Sequence, residues 1–186
     1  MKDGGASRPR SERMADSSYR LMVAIMAMED ALFSHLEKRV ARFGIQPGMT
    51  VVDYGCGPGR YTTYYSRLAG RQGKVFAVDI HPLAIDLVRQ QMEKYGLDNV
   101  EPRLADGYAS GLPDGVADLV TAIDMFFAIQ DQKAFLAELR RIAKPTGLLI
   151  LDDGHQPRQR TKEQLAAAGS WQIVEETKDH LKCKPA

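Results

Sequence analysis

Val51-Val52-Asp53-Tyr54-Gly55-Cys56-Gly57-Pro58-Gly59-Arg60 is the stretch on which the reading of this chain turns. Two β-branched residues lead into an acid, as at the end of a buried strand, and three glycines then alternate with other residues. A strand that stops in such a loop, with a helix to follow, lets backbone approach a ligand closely. The next strand-like run, Lys74 to Asp79, also ends in an acid. Asp79 stands 20 residues beyond Gly59, about the spacing at which a second-strand carboxylate meets ribose hydroxyls in dinucleotide folds.

Departures from neighbouring patterns narrow the choice. The dinucleotide fingerprint G-x-G-x-x-G requires glycine at position 60, where Arg60 stands, which disfavours a nicotinamide oxidoreductase. No G-x-x-x-x-G-K-[ST] occurs, so a phosphate-cradling P-loop is excluded. The motif order continues downstream. Ala105-Asp106-Gly107 comes first, then Ala117-Asp118-Leu119-Val120-Thr121-Ala122-Ile123-Asp124, then Leu139 to Ile150 through Lys144-Pro145-Thr146-Gly147. With V-V-D-Y-G-C-G-P-G-R and A-V-D-I ahead of it, this series resembles the class I S-adenosylmethionine-dependent methyltransferases, over residues 43–153 and less at the two ends. Within that family the resemblance is to the small-molecule branch that includes quinone-biosynthesis methyltransferases.

The resemblance implies a set of cofactor residues. Asp53, Tyr54 and the loop Gly55, Cys56, Gly57 and Gly59 face the methionine end of S-adenosyl-L-methionine, with Tyr61 directly after the loop. Asp79 takes the ribose hydroxyls. Ile80 and His81 flank sugar and adenine, Asp106 with Gly107 meets the adenine edge, and Ile123 completes the set. His81-Pro82 reads equally as a simple helix entry. Cys56 reads as a small residue filling the loop, since no His is adjacent to activate a thiol.

The alternation of elements gives the architecture. Strands are expected over 50–54, 74–79, 100–104, 117–123 and 148–151, and helices over 60–68, 82–95 and 132–143. Pro145-Thr146-Gly147 is read as the break after the last of these helices. A helix over 161–168 and strands over 171–177 and 180–184 follow. This is an α/β, Rossmann-like, doubly wound and mostly parallel seven-stranded sheet, with ligands beyond the carboxyl ends of its strands. Asp53, Asp79, Asp106, Asp124 and Asp153 fall at or near such ends.

Residues 1–15 are mostly Gly, Ser and charged residues and read as a disordered tail. Residues 16–186 then form a single methyltransferase domain: an N-terminal helix in 16–43, a cofactor-binding core in 44–153, and a C-terminal helix and strand pair in 154–186. Along the first helix Leu21, Ile25, Met28, Leu32, Leu36 and Val40 recur at three- and four-residue steps. That helix serves either as a lid over the cofactor or as packing on the sheet edge; Met22, Met26 and Met28 suit both.

Catalytic candidates are few, because a sulfonium arrives already activated and the protein's task is positioning and exclusion of water. Asp124, Asp153 and His155 stand after the fourth and fifth strands, where an acid or a His can take a proton; the plain alternative is a solvated turn. Phe126 and Phe127 wall an acceptor pocket or pack in the core. The missing Pro-Pro after Asp124 counts against nucleic-acid amino-methylation. No C-x-x-C or H-x-x-x-H spacing joins Cys183, His155 and His180, so no metal is expected.

Composition agrees. A formal charge of +1 carries no strong nucleic-acid signal, and no apolar run is long enough to span a bilayer. Two cysteines are too few for a disulfide framework and point to a cytoplasmic setting. The expected partner is a small-molecule methyl acceptor, and a homodimer is compatible with the sequence. The alternative function is a cofactor-binding module that needs a partner subunit for catalysis.

Overall fold

A computed structural model describes residues 12–32 and 36–186, leaving out the side chains of 29–32. Residues 1–11 of the expected tail, and Leu32 of the helical stripe, therefore lie outside the described side chains. Seven strands form one sheet: β1 (Thr50–Tyr54), β2 (Lys74–Asp79), β3 (Val100–Leu104), β4 (Ala117–Ala122), β5 (Ala143–Leu151), β6 (Trp171–Glu176) and β7 (Leu181–Pro185). The order is β3-β2-β1-β4-β5-β7-β6. The first five strands run parallel, β7 runs antiparallel to β5, and β6 runs antiparallel to β7.

Among the described residues six α-helices accompany the sheet: α1 (Asp16–Leu32), α2 (Leu36–Ala41), α3 (Thr62–Ala69), α4 (Pro82–Tyr95), α5 (Gln132–Ile142) and α6 (Arg158–Ala168). Successive strand residues face opposite sides, so Val51 and Val52 enter different cores. Val51, Val75, Ala77 and Ile150 pack with Tyr65, Val88 and Phe43 from the α2, α3 and α4 side. Val52, Val78, Val120 and Leu149 pack with Phe135, Leu139 and Leu165 from α5 and α6. Both faces are covered, and for that reason the parallel strands read as continuous apolar runs.

Turn chemistry sets the ends. His81 caps α4, its Nδ1 accepting from Leu83 N at 3.2 Å, and Pro82 opens the helix. Gly96 ends that helix in the left-handed region. Asp131 caps α5 through Ala134 N at 2.9 Å.

The expected N-terminal helix is described as α1 and α2, and residues 33–35 between them lie outside the described set. Two other expectations are corrected. The first helix of the core begins at Thr62 rather than at Arg60, leaving Arg60 and Tyr61 in the turn. Most plainly, Pro145-Thr146-Gly147 does not break the chain before the fifth strand but lies inside β5. Pairing with β4 jumps from Ala117↔Ala143 to Leu119↔Leu148, so the three residues occupy a bulge. Proline, lacking an N–H, is tolerated at such an irregularity, and a Cβ on Gly147 would sit 2.8 Å from Ala117 O.

Candidate active site

The loop after β1 folds back on β2. Gly55 N and Cys56 N both donate to Val78 O, at 2.8 and 3.0 Å, and Gly59 N donates to Cys56 O. Gly57 N donates to Asp79 Oδ2 at 2.9 Å, and His81 N donates to Asp79 Oδ1 at 2.8 Å. The Asp79 carboxylate thus ties the glycine loop to the entry of α4. Burial raises its pKa, and the backbone N–H groups of His81 and Gly57 act against that rise. Gly57 has φ 52°, and a Cβ built there would meet nothing within 4 Å, so the loop borders open space on that side.

The other residues expected at the cofactor differ in burial. Tyr54, Cys56, Tyr61, His81 and Ile123 are buried, Ile80 is half-buried, and Asp106 and Gly107 are exposed beyond β3. Asp53 is buried under the loop, not open to it: Thr62 Oγ1 donates to Asp53 Oδ2 at 2.6 Å, and Thr121 Oγ1 lies 3.3 Å from Oδ1. Tyr54 also looks inward, its hydroxyl donating to Tyr108 O at 2.6 Å. Burial raises the Cys56 thiol well above its ordinary value.

The N-terminal segment runs over the carboxyl edge of the sheet. Glu12 accepts from the Tyr108 hydroxyl and from Gln130 N, the latter at 2.8 Å. Met14 O lies 3.2 Å from His81 Nε2, which carries the ring proton because Nδ1 accepts from Leu83 N. Tyr19 stacks on His81, is 4% exposed, and its hydroxyl is buried without a hydrogen-bond partner among the described residues. Burial raises the Tyr19 phenol, and nearby Asp79 and Cys56 add to the rise. Sequence reading placed lid or packing on this helix but did not single out Tyr19 as a site residue. The signal was present: it is the one aromatic in the first turns of an otherwise aliphatic helix.

At the ends of β4 and β5 the three catalytic candidates part company. Asp124 stays at the site, its carboxylate receiving the Tyr61 hydroxyl at 3.0 Å. Asp153 is held by Arg158 Nε at 2.6 Å, and His155 is exposed, edge-on to Phe127. Phe126 is wholly buried in the core, whereas Phe127 is half-buried beside His155. Asp152, passed over as a catalytic candidate, is buried and accepts from Arg39 Nη2 at 2.6 Å. Cys183 is buried in the sheet, and His180 bonds with Thr177.

Comparison with known proteins follows from this geometry. A family described as a methyltransferase domain matches residues 45–183. The chain belongs to that family. It is 26% identical over 171 residues to a ubiquinone/menaquinone biosynthesis C-methyltransferase of Teredinibacter turnerae, covering 89% of this chain and 69% of that protein. A protein of the same name from Hahella chejuensis is 31% identical over 144 residues, covering 76% of this chain and 57% of its own length. Among solved structures, an S-adenosylmethionine-dependent methyltransferase from Aquifex aeolicus superposes with a TM-score of 0.83 at 25% identity, covering 94% of this chain and all of that one. The methyltransferase domain described here is thus an S-adenosyl-L-methionine-dependent enzyme, similar to the quinone-biosynthesis methyltransferases. No helix among the described residues is long and apolar enough to cross a membrane.

Proposed function

We propose that this methyltransferase domain carries its cofactor against the loop 55–59 and Asp79, and methylates carbon in a small conjugated acceptor. The observation that carries the cofactor placement is the Asp79 carboxylate, bonded to Gly57 N and His81 N, beside a buried Tyr19 hydroxyl with no partner among the described residues. An orphaned buried hydroxyl costs about 1–3 kcal/mol, and a ligand reaching Tyr19 and Asp79 relieves that cost. The open space at Gly57 supports the same placement.

The assignments are these. Asp79 accepts the ribose hydroxyls, Ile80 and His81 flank the sugar and adenine, and Asp106 with Gly107 borders the adenine edge. Gly55, Gly57 and Gly59 give backbone access for the methionine end. Asp53 supports the loop from beneath through Thr62 and Thr121. Segment 12–19 and the start of α1 form the lid, anchored by Glu12, Met14 and Tyr19. When bound, the sulfonium supplies an activated methyl group; the protein's part is to orient the acceptor in line and keep water out. Carbon as the methylated atom is carried over from the names of the Teredinibacter and Hahella proteins. Two buried unpaired cysteines favour a reducing, cytoplasmic setting.

Calorimetric titration with S-adenosylmethionine, S-adenosylhomocysteine and NAD tests the cofactor. Release of S-adenosylhomocysteine with a panel of phenols and hydroquinones tests the acceptor class. We expect binding of the first two ligands and turnover with part of the panel. NAD binding with no affinity for S-adenosylhomocysteine sinks the cofactor placement, and turnover confined to amines or carboxylates sinks the acceptor class.

A further inference from the structure

Beyond β4 and β5 four polar side chains from distant parts of the chain meet. Asp124 has φ 59°, and no other non-glycine residue among those described has a positive φ. Its N–H donates to Asp152 Oδ1 at 2.9 Å, which brings the two acidic residues together. Arg39 of α2 spans them, with Nη2 2.6 Å from Asp152 Oδ2 and Nη1 3.5 Å from Asp124 Oδ1. The same Nη1 donates to the Tyr61 hydroxyl at 2.7 Å, and that hydroxyl donates to Asp124 Oδ2 at 3.0 Å. The Asp152 side chain is 5% exposed and that of Asp124 35% exposed. A cleft of about 550 Å³ opens on the pair, bordered also by Arg42 and Lys178. Arg39 Nε, buried in the same cluster, has no acceptor among the described residues.

Stability alone does not account for this arrangement. A left-handed non-glycine residue is strained, and a buried ion pair is often no more stable than apolar packing of the same volume. Such clusters concentrate where a proton must be held.

We propose that Asp124, backed by Asp152 and braced by Arg39 and Tyr61, takes the hydroxyl proton of an enolic or phenolic methyl acceptor. This rests on the methyl-transfer reading above and names its acceptor more narrowly: the hydroxyl is conjugated to the carbon that gains the methyl group. The acceptor O–H bond breaks, its proton bonds to Asp124, and the electron pair spreads to the conjugated carbon. That carbon forms the new bond to the methyl group as the sulfur–methyl bond breaks, its electrons remaining on sulfur. The hydrogen displaced from the carbon leaves as a proton to solvent, and the carboxyl pair returns its own proton to the oxygen. One proton is released in all.

The division of labour between the two acids follows from their surroundings. Burial and the neighbouring Asp124 raise Asp152 to about 7, with Arg39 opposing. Burial works to raise Asp124 too, but bonding to Asp152, Arg39 and Tyr61 outweighs it and holds Asp124 below the usual carboxylate value. Asp124 is the exposed point of entry and Asp152 the place where the proton rests, so the pair titrates as a unit. The charged and titratable groups around it are Arg39 from α2, Arg60 at 4.0 Å and Tyr61 from the turn before α3, and Asp179, whose carbonyl accepts from Arg39. Below about pH 7 Asp152 already holds a proton, so proton uptake from the acceptor strengthens as pH rises through that value.

Meta-nitrophenol, whose phenolate is coloured and whose pKa lies above that of Asp152, is the probe, added with S-adenosylhomocysteine at a pH between the two values. Wild-type protein is expected to bind it and raise the phenolate band. Asp124→Asn, which keeps a residue type tolerant of the left-handed region, is expected to lose that rise while binding S-adenosylhomocysteine within twofold of wild type. Asp152→Asn, a second variant, is expected to abolish the change near pH 7 in the excess of the band over that of the free probe. An equal band in Asp124→Asn, or no rise in wild type with S-adenosylhomocysteine bound, overturns the proposal and leaves the cofactor reading standing. Failure of wild type to bind S-adenosylhomocysteine overturns both.

Discussion

Tyr19 lies face to face with His81, ring centroids 4.0 Å apart and planes 19° from parallel. The contact joins the first helix to the capping residue of α4, directly beside Asp79. The segment just before Tyr19 also meets His81: Met14 O faces Nε2, and Asp16 lies 3.6 Å from the same atom. A stacked aromatic pair is worth about 0.5–1.5 kcal/mol beyond its buried area, enough to seat a helix and little enough to release it.

Tyr19→Phe separates ligand binding from packing. The ring stack survives while the unpartnered hydroxyl is removed, so the free protein should keep or gain thermal stability. The stabilisation conferred by S-adenosylhomocysteine should shrink. A lowered Tm for the free variant with an undiminished ligand shift would assign the hydroxyl to structure. Hydrogen exchange gives a second view: amides of residues 19–28 should gain protection when S-adenosylhomocysteine binds. Protection gained by the loop 55–59 alone reduces the helix to packing.

Asp79→Ala tests the ribose assignment. Hydrogen bonds to a charged acceptor are worth about 1.5–3 kcal/mol, so affinity for S-adenosylhomocysteine should fall about tenfold or more by calorimetry. The carboxylate also accepts from Gly57 N and His81 N, so the loop should loosen and its amides exchange faster. Wild-type affinity in a folded variant refutes the assignment.

Gly57→Val tests whether the ligand lies against the loop. The position has φ 52°, where a left-handed L-residue costs about 1–2 kcal/mol. The added Cβ meets no protein atom within 4 Å, so most of the sheet should stay folded. Binding should nevertheless be lost, because the side chain enters the space proposed for the cofactor. Retained thermal stabilisation by S-adenosylhomocysteine would place the ligand elsewhere.

Asp53 makes stability depend on pH. Burial raises it from 3.8 to about 7, against hydrogen bonds from Thr62 and Thr121. Between those values the folded state holds a proton that the unfolded chain has released, so stability falls as pH rises. The slope is at most about 1.4 kcal/mol per pH unit for one proton. Asp152, also raised to about 7, acts in the same direction. Above about 7 the effect levels off. Denaturant midpoints followed by the fluorescence of Trp171, the one tryptophan, should show this decline, and Asp53→Asn should make it shallower, leaving the part that Asp152 contributes. Wild-type stability that climbs across the window, or an unchanged slope in the variant, contradicts the account.

Much of the architecture was legible without coordinates. Residues such as Val51, Val52 and Val75 to Val78 form short apolar runs closed by acids, and that local pattern reports strands covered on both faces. Gly96 and Asp131 announce helix ends because the needed backbone angles and side-chain bonds lie within one turn. The fifth strand was misjudged because Pro145 and Gly147 are local breakers, while pairing with β4 on either side of the bulge is a long-range fact.

The candidate site divides along the same line. The chain's own order established the glycine loop, the acid at the end of β2 and the spacing between them, since these repeat at the period of a strand–turn–helix unit. Tertiary structure alone decided that Asp53 turns under the loop, that Tyr19 covers His81, and that Asp152 faces Asp124 while Asp153 turns to Arg158. It also brought Arg39 to Asp152 across 113 positions of sequence. The pattern of a single segment records which face a residue takes within its own helix or strand. Which charge waits on another element depends on how the layers close, and that is settled by packing across the whole sheet.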